Sequence, residues 1–237
     1  MKTVKRIFIL CRNLLLLLVA SAILAVVIYK YVPVYYTPLM FIRLCEKDGA
    51  GGISHHWTPI GQISQSTVQA VVASEDNLFM EHHGFDRKQI DRAIEEAKNG
   101  RRLRGASTIS QQTAKNVFLW PGRSYLRKGL EACFTLLIEW IWGKERIMEV
   151  YLNSIEMGTG IYGVEAASLA YFEKRAYELT PEESALLAIS LPAPRKMNPK
   201  RVSAYMQGRQ RHILSLMKKI KPVNMGYRYP GSSYSSY

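Results

Sequence analysis

Between residues 75 and 131 the chain gathers the groups that a transfer reaction needs. Glu75 and Asp76 are adjacent carboxylates in Ser74-Glu75-Asp76-Asn77-Leu78-Phe79-Met80-Glu81-His82-His83-Gly84-Phe85-Asp86. Gly105-Ala106-Ser107-Thr108-Ile109-Ser110-Gln111-Gln112-Thr113-Ala114-Lys115-Asn116 follows, dense in hydroxyls and amides and ending beside a cation. Arg123 and Arg127-Lys128-Gly129-Leu130-Glu131 complete the stretch. A carboxylate base, hydrogen-bond donors and a cluster of cations suit the removal of a sugar from a phosphate. The base takes a proton, and the cations hold a leaving group that gains negative charge.

Mostly helical elements must position these groups. The apolar spacing of Val68, Val71 and Val72 predicts a helix over 66–73 that delivers Glu75 and Asp76 at or just beyond its end. Asp86 followed by Gln89 is a capping-box pattern for a helix over 87–99, with Ile90, Ala93, Ile94 and Ala97 on one face and Gly100 as its stop. Helical segments are expected over 108–119 and 124–142, the second with Leu130, Phe134, Leu137, Ile138 and Ile141 on one side and Glu131 adjoining that stripe. Others are expected over 144–152, 164–172, 180–189 (N-cap Thr180, Pro181 at the first position, Glu183 closing the box) and 202–219. With no long alternating runs, the domain reads as mainly α. The tail over 222–237, rich in Gly, Pro, Ser and Tyr, reads as disordered. Asp76 and Asp86 are expected to make local backbone bonds and caps, His82 to be a structural hydrogen-bonding residue, and Tyr151 and Asn153 to pack or fix loops. Phe118, Leu119 and Trp120 suit a core and a lipid surface equally.

The N-terminus places this domain at a membrane. Lys2, Lys5, Arg6 and Arg12 precede an apolar run over 14–34, which as a helix is about 31 Å long and matches one hydrocarbon core. Lys30 can snorkel at its far end, and Tyr29, Tyr31, Tyr35 and Tyr36 resemble an interfacial belt. Ala20-Ser21-Ala22 looks like a cleavage site, but apolar residues continue directly after it, so the reading is an uncleaved anchor. The positive-inside rule puts residues 1–13 in the cytoplasm and the domain outside. The formal charge of +13 calls for an anionic partner. An exported, anchored domain makes nucleic acid a poor candidate. Residues 37–44 are apolar with one cation, suited to touching lipid.

Other signals carry less. Cys11 lies on the cytoplasmic flank, Cys45 and Cys133 alone are placed to pair, and Cys133 is expected to be buried. No metal-ligand cysteine spacing occurs, and His55-His56 has no third ligand nearby. The run Arg101-Arg102-Leu103-Arg104 suits a solvated loop or a phosphate contact. Gly158-Thr159-Gly160-Ile161-Tyr162-Gly163 fits a dinucleotide fingerprint but follows a helix without a βαβ unit. Ser215-Leu216-Met217-Lys218 fits an acyl-serine motif with no partner motif.

Five ordered blocks over 57–217 resemble the peptidoglycan glycosyltransferase domain found in monofunctional transglycosylases and in class A penicillin-binding proteins. E-D-x-x-F-x-x-H-x-G-x-D is met by Glu75, Asp76, Phe79, His82, Gly84 and Asp86. G-x-S-T-I-S-Q-Q-x-x-K-N is met by Gly105, Ser107 to Gln112, Lys115 and Asn116, and R-K-x-x-E by Arg127, Lys128 and Glu131. I-x-E-x-Y-L-N is met by Ile147, Glu149 and Tyr151 to Asn153, and the last block by Ala185 to Ala188 with Pro192, Pro194, Asn198 and Pro199.

The resemblance implies a lysozyme-like helical domain over 57–221 with a small membrane-dipping subdomain, joined by a connector over 35–56 to the anchor. It implies a single-pass protein of the bacterial inner membrane, of the monofunctional type, that polymerises lipid II. The growing chain on undecaprenyl pyrophosphate is the donor, the GlcNAc 4-hydroxyl of lipid II attacks, and inversion gives a β-1,4 bond. Glu75 matches the general base. Lys115 and Arg123 match pyrophosphate ligands, and Arg127 and Lys128 join that cationic cluster. Ser107, Gln111 and Gln112 are expected to donate to sugar and phosphate oxygens. Glu131 matches the second essential glutamate, with three roles open: orienting cations, protonating, or holding a divalent magnesium or manganese ion. No covalently bound cofactor is expected. Partners are lipid II, the glycan chain, the membrane and other cell-wall synthesis or division proteins. A non-catalytic membrane scaffold and a lytic lysozyme-like enzyme are the alternatives, and the lytic enzyme has no use for a pyrophosphate clamp.

Overall fold

A computed structural model describes residues 2–46, 52–100, 107–122 and 124–226. Gly49, Gly51, the basic run 101–104, Gly105, Arg123 and the tail from 227 lie outside the described residues. The chain divides into two units, Met1–Pro33 and Val34–Tyr237.

The first unit is one helix, α1 (Lys2–Tyr31), whose stretch Thr3–Tyr31 is long and apolar enough to cross a membrane. It starts well before residue 14 because nothing in the basic flank breaks a helix. It ends before Pro33, which disfavours helix in the residue ahead of it. Leu14 to Leu18 are all exposed, so lipid is the environment that suits this surface.

The second unit is mainly helical: α2 (Pro38–Leu44), α3 (Gln65–Glu75), α4 (Arg87–Lys98), α5 (Ile109–Phe118), α6 (Tyr125–Ile141), α7 (Lys144–Ser154), α8 (Val164–Phe172), α9 (Pro181–Ser190) and α10 (Ala204–Lys219). Among the described residues three short strands, β1 (Ser54–His55), β2 (Glu156–Gly158) and β3 (Ile161–Tyr162), form a sheet in the order β1-β3-β2, parallel then antiparallel. Strands of two or three residues carry no readable alternation, so the sequence pattern missed them. The glycine-rich fingerprint is this hairpin. Gly160 turns it with φ +71°, and Gly163 precedes α8 with φ +80°.

The core centres on α3, which packs against α9 and α10. Val68, Ala70, Val71 and Val72 are buried, and small side chains let α9 approach closely enough for Thr67 Oγ1 and Ser184 Oγ to hydrogen-bond at 2.9 Å. A second layer sets α5 between α6 and α7 around Ile109, Ile138, Ile147 and Met148, and Phe118 stacks flat on Phe134 at 4.5 Å. The cap on α9 forms as expected, Thr180 and Glu183 bonding each other's backbone N–H.

Several expectations are corrected. Only Ala93 of the α4 face is buried and Ile94 is exposed. Cys133 is exposed, and Cys11, Cys45 and Cys133 are all free thiols. Residues 222–226 are not loose: Val223 and Met225 are buried, and the Val223 N–H donates to Gln69 Oε1 at 2.9 Å. Leu119 is core, whereas Trp120 is 44% exposed.

Candidate active site

Glu75 is the last residue of α3, where the helix breaks at Asp76 (φ −162°, ψ 75°). Its placement depends on Asp76, 1% exposed, which is more than a local cap. Asp76 Oδ2 accepts the N–H of Ile109 at 3.0 Å, and both its oxygens lie 2.9 Å from His82 Nε2. One carboxylate thus ties the end of α3 to the start of α5 and to the loop carrying His82. A buried, fully bonded carboxylate holds such a junction firmly because removing any partner leaves a charge stranded. Asp86 caps α4 by accepting from Gln89 N–H at 2.9 Å.

The start of α5 is set by a capping box. Thr108 Oγ1 accepts from Gln111 N–H, and Gln111 Oε1 accepts from Thr108 N–H at 3.0 Å. Gln111 is therefore a buried residue whose side-chain oxygen is engaged in the cap. One position on, Gln112 faces the other way. Its Nε2 donates to Glu75 Oε2 at 2.9 Å, and its Oε1 accepts from the Tyr151 hydroxyl at 3.2 Å. Tyr151 is fully buried, and that burial, followed by the charges of Glu75 and Asp76, keeps its hydroxyl protonated well above the ordinary range. The hydroxyl therefore fixes which end of the Gln112 amide meets Glu75. Burial raises the Glu75 pKa, the Gln112 hydrogen bond opposes this, Asp76 raises it further, and Arg209 lowers it.

Gln112 also lines a cavity of about 750 Å³. Ser107, Gln112, Lys115, Asn116, Arg127, Arg43 and Glu156 form its polar wall. Leu39, Leu119, Trp120, Pro121, Ile155, Leu191, Pro192 and Pro194 form its apolar wall. Four of the residues expected from sequence, Ser107, Gln112, Lys115 and Arg127, thus meet in one space. Arg123 lies outside the described residues. Burial lowers the Lys115 pKa, Glu131 opposes that, and Arg127, Arg43 and Lys128 lower it further. A desolvated ammonium among cations is a site that an anion stabilises.

Glu131, 3% exposed, organises these cations. Its Oε2 accepts from Arg127 Nη1 at 2.7 Å, and its Oε1 accepts from Lys128 Nζ. Lys128 is half exposed and reaches the cluster through Glu131. Among the described residues no group of three or more His, Cys, Asp or Glu could hold a metal ion. In this arrangement each Glu131 oxygen accepts from a cation.

The fourth sequence block is a brace. Asn153 bonds both backbone groups of Thr58 at 2.8 Å, and Glu149 Oε1 accepts from Ile60 N–H at 3.0 Å. His55 is also structural, its Nε2 donating to Asn153 O at 2.9 Å. Sequence reasoning missed Arg43, Glu156 and the coupling of Tyr151 to Glu75. For Arg43 the signal was present, as the one cation in an apolar stretch.

The family model described as Transglycosylase matches residues 47–218. A biosynthetic peptidoglycan transglycosylase of Bacteroides thetaiotaomicron is 51% identical over 226 residues, covering 93% of this chain and 91% of its own. The protein of the same description from Caulobacter vibrioides is 52% identical over 208 residues, covering 86% and 90%. One from Bdellovibrio bacteriovorus is 51% identical over 203 residues, covering 84% and 81%. With a matching model over most of its length and relatives this similar end to end, the chain belongs to the transglycosylase family.

Proposed function

We propose that this glycosyltransferase builds peptidoglycan glycan strands by polymerising lipid II. The observation that carries the reading is the position of Gln112, which holds the carboxylate of Glu75 with one end of its amide and lines the cationic cavity of Lys115 and Arg127. A base and a leaving-group site stand on two sides of one residue.

In this reaction the acceptor 4-hydroxyl attacks the anomeric carbon of the donor MurNAc. The new C–O bond forms as the bond to diphosphate breaks, the hydroxyl proton passes to Glu75, and undecaprenyl diphosphate leaves with the electron pair. Partial burial suits Glu75 to this task, since a poorly solvated carboxylate gains by taking the proton. Lys115 and Arg127, with Arg123 on the resemblance, meet the charge that grows on the diphosphate. Glu131 keeps Arg127 and Lys128 aimed. Direct inversion needs no enzyme nucleophile. The apolar wall of the cavity suits the start of a polyprenyl chain.

The apolar helix α1 serves as a single-pass anchor, with its basic flank in the cytoplasm and the catalytic unit outside. Phe41, Ile42 and Leu44 on α2 and Leu126, Leu136 and Trp140 on α6 are exposed and suit the membrane-dipping surface.

The test is glycan polymerisation from purified lipid II in detergent, comparing wild type with Glu75→Gln. Wild type is expected to make long strands and the variant to lose about 10²-fold or more, the scale of a general base. A variant that polymerises normally would remove Glu75 as the base. A folded wild type without product would favour the scaffold reading.

A further inference from the structure

Arg43 belongs to none of the motif blocks, yet it lines the same cavity as Lys115 and Arg127. It arrives from α2, the first helix of the second unit. Its Nη1 donates to both oxygens of Glu46, at 2.9 and 3.0 Å, and its Nε lies 3.7 Å from Glu156 Oε2. Arg195 closes the ring, with Nε donating to Glu156 Oε1 and Nη1 to Glu46 Oε2, each at 2.9 Å. Two cations and two carboxylates thus alternate around a ring of zero net charge, of which Arg43 and Glu156 line the cavity.

Two features of this ring look unfinished. Arg43 Nε is buried and has no hydrogen-bond partner among the described residues, although an arginine fork can serve two acceptors at once. Glu156, a carboxylate 7% exposed, lines a cavity otherwise furnished with cations. Such a carboxylate would repel an anionic ligand unless Arg43 and Arg195 cover it. Arg195 holds both carboxylates without help, so Arg43 can turn away without leaving either one unpaired.

We propose that Arg43 is a further diphosphate-binding residue, which exchanges Glu46 for the diphosphate and so brings α2 into the cation clamp. The inference rests on the cavity being the diphosphate site. The diphosphate carries more charge than the carboxylate it replaces and offers several acceptors to one guanidinium, which favours the exchange. The ring supplies the counter-charge that keeps Arg43 in place while the cavity is empty. The exposed Phe41, Ile42 and Leu44 on the same short helix put this cation where a lipid-borne phosphate arrives from the membrane.

The experiment measures binding of undecaprenyl diphosphate, and KM and kcat on lipid II, for the full-length protein in detergent. Wild type is compared with Arg43→Gln, Arg43→Lys, Glu46→Gln and Lys115→Gln, with thermal unfolding of each. Arg43→Gln is expected to weaken diphosphate binding about tenfold or more, the scale of a charge-assisted bond, and to raise KM more than it lowers kcat. Arg43→Lys keeps charge without the fork and should fall between. Glu46→Gln frees the guanidinium and should bind as tightly as wild type or tighter. Equal losses in Arg43→Gln and Glu46→Gln would overturn the proposal, because Arg43 would then only latch α2. Undiminished binding in Arg43→Gln with a loss in Lys115→Gln would overturn it while leaving the cavity as the diphosphate site. Undiminished binding in both would overturn the cavity assignment as well.

Discussion

Replacing Gln112 by methionine tests whether the amide at 2.9 Å sets the basicity of Glu75. Burial raises the pKa of this carboxylate, and the Gln112 N–H is the largest influence holding it down. A hydrogen bond to a charged group contributes about 1.5–3 kcal/mol, and one tenfold step in protonation corresponds to about 1.4 kcal/mol. Removing the donor should therefore shift the Glu75 protonation equilibrium roughly 10- to 150-fold toward the neutral acid. The base must be ionised to work, so the acid limb of kcat/KM should move to higher pH. Much of the rate should return on the alkaline side. Methionine also leaves the buried Tyr151 hydroxyl without its acceptor, so Gln112→Met/Tyr151→Phe separates that defect from the effect on Glu75. The assay is the initial rate of lipid II polymerisation from about pH 5 to about pH 9, with Glu75→Gln as the variant that should lose the limb altogether. An acid limb that stays in place or moves to lower pH in both variants would refute the reasoning.

Three further outcomes are expected. Because burial raises the Glu75 pKa, its contribution to stability is fully present below the ordinary carboxylate range and is lost as pH rises through the raised value. Glu75→Gln should thus melt higher than wild type at neutral pH, with the difference shrinking on acidification, as read by thermal unfolding across pH. Glu131 is the charge that opposes the burial-driven drop in the Lys115 pKa, so Glu131→Gln should lower that pKa further. Binding of undecaprenyl diphosphate by this variant should then weaken at a lower pH than in wild type as the solution is made alkaline, measured by titration at several pH values. A Cβ on Gly163, at φ +80°, would meet the Asn153 carbonyl oxygen at 2.7 Å, so Gly163→Ala should destabilise by about 1–3 kcal/mol in denaturant unfolding.

The sequence by itself determined the parts whose signals are local. Thr180, Pro181 and Glu183 start α9 because caps act within one turn. The apolar run that becomes α1 is legible because lipid requires a long uninterrupted stretch. The order of the motif blocks was sufficient to name the family, and Glu75, Lys115 and Glu131 came with them. What each side chain faces was decided by tertiary structure. Gln111 and Gln112 are neighbours of one type, yet one closes a cap and the other holds the base, because α5 turns them to different surroundings. Asp76 looked like a local cap, and only folding brings Ile109, 33 positions away, to its oxygen. Leu126, Leu136 and Trp140 on α6 and Ile94 on α4 are apolar yet exposed, because a helical repeat records a preference for leaving water without recording what covers it. Arg43 belongs with these: a lone cation in an apolar stretch acquires meaning only when α2 packs beside α5 and sets it in the cavity with Lys115.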